Sequence, residues 1–164
     1  MRYITLVILL LIAAGLQGNF PSFLSLFGAK PDFIFVVLIT FSLDEEPDFG
    51  AILGFISGLI HGSVVGFALG SFIITRTIIG FISGLVTTRV FGDNPLVPVV
   101  SAAWLTLVCE GLFIILNPPS SFFMAVSTII GKCIYNAFFT LVFYAVTKGR
   151  ESRRKTFQIQ SKYI

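Results

Sequence analysis

The chain has 164 residues, 55% hydrophobic and 12% charged, with 19 Phe, 15 Gly and a mean hydropathy of +0.96. A soluble domain carries about 25% charge, so this composition excludes a soluble enzyme, a nucleic-acid module, a disulfide scaffold and a disordered chain, and defines an integral membrane protein. The formal charge of +3 is unevenly spread, because residues 148–164 hold six of the 11 basic side chains (Lys148, Arg150, Arg153, Arg154, Lys155 and Lys162) against one acid, Glu151. Such a tail is an orientation signal for the cytoplasmic side rather than a nucleic-acid contact.

A helix crossing a hydrocarbon core of about 30 Å needs roughly 20 residues. Residues 1–147 therefore predict one all-α membrane bundle of about six transmembrane helices, and 148–164 a basic cytoplasmic tail. Span one covers about 3–17. Arg2 and the run Ile4 to Leu16 resemble a signal peptide, but no small-x-small cleavage site precedes Gln17 to Phe20, and the segment reads as a retained span. Pro21, Gly28, Lys30 and Pro31 then break the chain. Asn19 to Phe27 is amphipathic, with Phe20, Phe23, Leu24 and Phe27 at helical spacing, and is expected to lie in the interface plane.

Span two is 31–43, ended by the acidic run Asp44, Glu45, Glu46, Pro47, Asp48, which reads as a solvated cytoplasmic turn. Spans three and four are 49–64 and 67–88, separated by the glycine-rich break Gly62 to Gly66. One long central helix, with five spans in all, is the competing reading. An even count with the amino terminus inside places Arg2, Arg89 and the basic tail, eight positive residues, in the cytoplasm against Lys30 outside. Spans five and six are 96–116 and 122–147, bounded by breaks at Arg89 to Pro95 and Asn117 to Ser121. Cys109 and Cys133 lie inside spans, where a thiol packs as a small hydrophobe, so no disulfide, metal or cofactor is expected.

Glycines recur at Gly50, Gly54, Gly58, Gly62, Gly66 and Gly70, then at Gly80 and Gly84. The hexapeptide Gly-Phe-Ile-Ser-Gly-Leu occurs at 54–59 and again at 80–85, an echo open to a duplication reading. Small residues let helices approach in lipid, where no hydrophobic force draws them together. A four-residue step overshoots a helical turn by about 40°, so one neighbour should be served by two or three consecutive glycines. Internal packing and docking of a partner's helix are both open for this stretch.

His61, Arg76, Glu110 and Lys132 are ionisable groups inside spans, and each implies an internal partner or a function. Glu110 lies about nine residues before the Asn117–Ser121 turn centre and Lys132 about thirteen after it. The mismatch of about 6 Å is within reach of a lysine side chain. Glu110 is thus expected to pair with Lys132 or with Arg76, as a structural pair or part of a proton or substrate path. His61, beside the Gly62 break, is expected at the outer interface.

The segment Lys30-Pro-Asp-Phe-Ile-Phe-Val-Val-Leu-Ile, followed by Gly50, then by Gly54-Phe-Ile-Ser-Gly-Leu-Ile-His-Gly-Ser and Leu69-Gly70, resembles the rod shape-determining MreD family. Glu110 in the fifth span, Asn136 in the last span and the short basic tail fit the same resemblance, which covers nearly the whole chain. Gly62 stands where the family commonly has an Asp, so any role of that acid is absent or altered. The resemblance implies a non-enzymatic subunit of the peptidoglycan elongation machinery in the bacterial cytoplasmic membrane. Its implied partners are an MreC-like single-span protein, MreB, RodA and a class B penicillin-binding protein. It also implies a fold resembling the substrate-binding subunit of energy-coupling-factor vitamin transporters, with a small-molecule carrier as the alternative function. Span one offers only Ala13, Ala14 and Gly15 for recognising energising partners, which favours the scaffold.

Overall fold

The computed structural model describes the backbone of residues 2–43, 45–86 and 96–160, and the side chains of 4–43, 45–86 and 96–146. Asp44, the break at Arg89 to Pro95, and the side chains of Arg2 and of the basic tail lie outside what is described. Among the described residues the chain is all helical: α1 (Arg2–Gly18), α2 (Phe33–Ser42), α3 (Pro47–Val65), α4 (Leu69–Leu85), α5 (Leu96–Leu116) and α6 (Phe122–Gln160). The backbone of α6 continues without interruption from the apolar segment Phe122–Val146 into the start of the basic tail.

Helix α2 is the centre of the molecule. It has ten residues, about 15 Å of helix, and Ile34 through Thr40 are all buried. Each of the other five helices contacts it. A helix apolar all round must be covered all round, and α2, which fills most of the expected span 31–43, is covered by protein. The non-helical backbone leading into it is buried by protein, as irregular backbone inside a membrane bundle must be. Ala29 and Asp32 are 1% and 5% exposed.

The segment between α1 and α2 corrects an expectation. The amphipathic helix read over Asn19 to Phe27 is absent. Only one 3-10 turn forms, at Ser22–Leu24, because Pro21 sits at its start and a two-residue turn follows. Leu26 and Ala29 exchange both backbone hydrogen bonds (3.0 and 2.9 Å) around Phe27 and Gly28, whose φ values of 53° and 77° suit the tight turn of a hairpin. Gly131 of α6 admits this turn: a Cβ there would stand 2.7 Å from the Ala29 Cβ. The Tyr135 hydroxyl donates to the Leu24 carbonyl, and Phe20 packs on Phe33 and Tyr135. Phe23 stays 84% exposed.

Helices α3 and α4 are separate elements, not one long helix. The chain reverses through Gly66 (φ 78°) and Ala68 (φ 50°), both left-handed. The two helices then run back along each other. Gly50 faces Gly80, Gly54 faces Arg76, Gly58 faces Phe72 and Ile73, Gly62 faces Leu69, and Gly84 faces Pro47, so position falls on α4 as it rises on α3. Four consecutive glycines of α3 serve this one neighbour, more than the expected two or three. A partner inclined to the helix axis follows the i±4 row around the cylinder, which absorbs the overshoot. The two hexapeptide copies supply glycines to the two sides of this same seam. Gly66 occupies the turn, and Gly70 has open space where a Cβ would stand.

The seam predicts a graded response to added methyl groups. A Cβ at Gly58 would lie 2.7 Å from the Ile73 Cα, whereas nothing lies within 4 Å of one at Gly111 or Gly15. Gly58→Ala should force the helices apart and lower the melting temperature in detergent by several degrees, and Gly58→Leu should remove the protein from the membrane fraction. Gly111→Ala should be neutral or stabilising by about 0.5–1 kcal/mol, the helix-propensity difference. Equal tolerance at Gly58 and Gly111 would show that the seam is not close-packed.

Candidate functional site

The site begins at the start of α2. Asp32 precedes an apolar run, the position where a carboxylate accepts from exposed N–H groups of the first turn. Its Oδ1 accepts from the Phe35 N–H at 2.9 Å. Its Oδ2 accepts from Arg76 Nη2 of α4, and its own backbone N–H donates to Asn136 Oδ1 of α6 at 3.1 Å. Asn136 Nδ2 donates to Thr106 Oγ1 of α5 at 3.1 Å, and the Thr106 hydroxyl donates to the Ala102 carbonyl at 2.6 Å. Arg76, 2% exposed, also places its guanidinium 4.9 Å over the Phe35 ring, a cation–π contact that covers part of its face.

Helix α3 joins through His61. Its Nδ1 lies 2.8 Å from Arg76 Nη2 and 3.7 Å from Asp32 Oδ1, and its ring stacks on Phe72 at 4.4 Å. Guanidinium can only donate, so Nδ1 accepts and Nε2 carries the proton of the neutral imidazole. The Gln17 amide of α1 lies against Nε2 at 3.4 Å. An Nε2–H requires an acceptor there, and turning the amide so that its oxygen faces His61 gives the otherwise unpartnered, buried Oε1 its donor. The Gln17 NH2 then faces away from the ring. Every helix contributes one side chain to this chain of contacts: Gln17, Asp32, His61, Arg76, Thr106 and Asn136.

Glu110 and Lys132 form a second, separate pair. Lys132 Nζ donates to both Glu110 carboxylate oxygens at 2.8 Å, and both side chains are part-exposed. Of the two partners open to Glu110, the structure gives Lys132; Arg76 belongs to Asp32. Both groups line a cavity of about 370 Å³ at the end of the bundle formed by the α1–α2 segment and the α3–α4 turn. Gln17, Lys30, Asp32 and His61 reach it as well, and Phe72 and Phe113, 4.7 Å apart, form an apolar wall.

The sequence-level site residues thus fall into three groups. Arg76 and Asn136 belong to the central network. His61 does too, and its expected place at the outer interface is corrected: it is 7% exposed, because a ring that accepts from Arg76 and stacks on Phe72 must face inward. Glu110 and Lys132 line the cavity. Gly54, Gly58, Gly62, Gly80 and Gly84 line the α3–α4 seam. Asp32, Gln17 and Thr106 were not singled out from sequence. For Asp32 the signal was present, an Asp followed by an unbroken apolar run, but it reads equally as a solvated cap at a span boundary. Gln17 and Thr106 carry no such signal.

Helices Pro47–Val65, Leu96–Leu116 and the Phe122–Val146 part of α6 are long and apolar enough to cross a membrane. With lipid-suited outer faces (Ile8, Leu11, Trp104 and Phe138 are exposed) around an interior that holds an ion pair, this is a small helical membrane protein. The sequence model for the rod shape-determining protein MreD matches residues 1–148, so the chain belongs to the MreD family. Neither the curated proteins nor the solved structures give a match.

Breaking one side of a buried pair strands the other charge, at a cost of about 3–5 kcal/mol. Arg76→Met should therefore destabilise strongly, and Arg76→Met with Asp32→Asn should be less severe than the sum of the singles. The Glu110–Lys132 pair should show its own coupling in a double-mutant cycle, while Glu110→Gln and Arg76→Met should combine additively. Unfolding midpoints in detergent measure both; coupling between Glu110 and Arg76 in place of Glu110 and Lys132 would contradict the assignment.

Proposed function

We propose that this MreD-family chain is a non-enzymatic scaffold subunit of the bacterial rod-shape machinery. In this reading it sits in the cytoplasmic membrane, crosses it six times with both termini inside, and binds the transmembrane helix of an MreC-like partner. MreB, RodA and a class B penicillin-binding protein form the wider complex. Family membership supports the role in rod shape. The observation that carries the scaffold reading is the hydrogen-bonded connection through all six helices, which makes the bundle one mechanical unit suited to holding a partner in register.

The topology has its own support. Gln17, Lys30, Val65, Phe67 and Phe113 surround one cavity, which supports a shared end for the odd-numbered turns of the bundle (α1–α2, α3–α4 and α5–α6). Lys30 is the basic residue of those turns. Arg2, Arg89 and the tail follow the opposite ends in sequence, matching the positive-inside pattern.

Alkaline phosphatase fused after Gln160 should stay inactive and a fluorescent protein there should fluoresce; the reverse would place the tail outside. In a rod-shaped cell, depletion of the chain should round the cells, and affinity purification of the chain should bring an MreC-like protein with it. Normal shape after depletion, with no such partner recovered, would sink the proposal.

A further inference from the structure

The cavity at the α1–α2 end carries a charge imbalance that the central network does not resolve. Asp32 is neutralised from behind by Arg76. Glu110 neutralises Lys132. Lys30 is exposed, and among the described residues its Nζ donates only to the Phe20 carbonyl at 3.1 Å and no carboxylate lies within ion-pair distance of it. Counted together with Arg76 behind Asp32, the site therefore keeps one uncompensated positive charge, that of Lys30.

Its free hydrogen-bonding capacity has the same sign. An ammonium has three donors, and Lys132 turns its donors to one carboxylate, leaving one to spare. Asp32 accepts from Arg76 and from the Phe35 N–H. Against this donor-rich side stands the apolar wall of Phe72 and Phe113. The volume, about 370 Å³, is within the range of small-molecule sites, which combine apolar lining with a few convergent polar groups.

We propose that this cavity binds the anionic oxygen group, phosphate or carboxylate, of a small amphipathic molecule. Lys30 and Lys132 are its charge partners, and Phe72 and Phe113 hold its apolar part. One bound monoanion brings the site, Arg76 included, to neutrality, and its oxygens make the charge-assisted hydrogen bonds that ammonium groups in a partly desolvated site favour. Glu110 tunes the site by competing with the ligand for Lys132. This assignment does not depend on the scaffold reading.

The test uses the purified full chain in a neutral detergent, with ligand retention read by native mass spectrometry. The probes are dihexanoylphosphatidic acid, its neutral analogue dihexanoylglycerol, and inorganic phosphate. One molecule of the acid should be retained, with affinity falling as salt rises, and the neutral analogue should not. Lys30→Gln, at an exposed position, should leave the melting temperature unchanged and weaken binding about tenfold. Glu110→Gln should strengthen it, because Lys132 is released; a purely structural role for the pair would move affinity the other way or not at all. Competition by millimolar inorganic phosphate would identify free anions as a source, and its failure would identify the lipid headgroup; both outcomes keep the site. Equal retention of the neutral analogue, or binding unaffected by Lys30→Gln, would overturn the proposal.

Discussion

The ion pair between Asp32 and Arg76 is the constraint on which the rest of the fold depends. An ionised carboxylate and a guanidinium away from water are each prohibitively costly alone and tolerable only together. Asp32 meets that condition by acting twice, as the cap of α2 and as the counter-ion of α4. It thereby fixes where α2 begins and how deep it sits. Asn136 takes the Asp32 backbone N–H, so even the peptide group leading into the helix is satisfied at depth. A ten-residue helix surrounded on all sides by others has no lipid contact to set its position; the polar groups at its start do so instead.

Around that centre the apolar packing supplies closeness rather than a driving force, since lipid is as apolar as leucine. The α3–α4 seam shows how. Glycine removes the side chain between two backbones, and the facing pairs Gly50 with Gly80 and Gly84 with Pro47 bring the helices near enough for Arg76, one turn from the seam glycine Gly80, to reach inward to Asp32 and His61. The close approach and the buried charge are thus coupled: bulk in the seam would move the guanidinium away from its carboxylate.

The two ion pairs sit in different surroundings and suit different tasks. Asp32–Arg76 is nearly inaccessible and bound into a network that reaches all six helices. Glu110–Lys132 joins only adjacent helices and faces a cavity with donors to spare. A pair of the first kind specifies one arrangement of the bundle; a pair of the second kind is open to exchange partners with something that enters.

Because hydropathy, glycine and proline act within a few residues of themselves, the sequence by itself determined the solvent, the helical class, the glycine spacing, the break at Asn117–Ser121 and a reversal near Gly66, though helix α3 runs through Gly62 to Val65, inside the expected break. It also brought Lys132 within reach of Glu110, since a short turn between two antiparallel helices leaves little freedom of register. Tertiary structure alone decided that Asp32 meets Arg76 and Asn136, 44 and 104 residues away, and that His61 turns inward. It also decided that the segment after Asn19 folds as a hairpin-like turn against Gly131, and that α2 is the core. The physical reason is the same in each case. A uniformly apolar helix has no face that says which neighbour it prefers, and a charge inside a membrane announces that it needs a partner without saying where along the chain that partner lies.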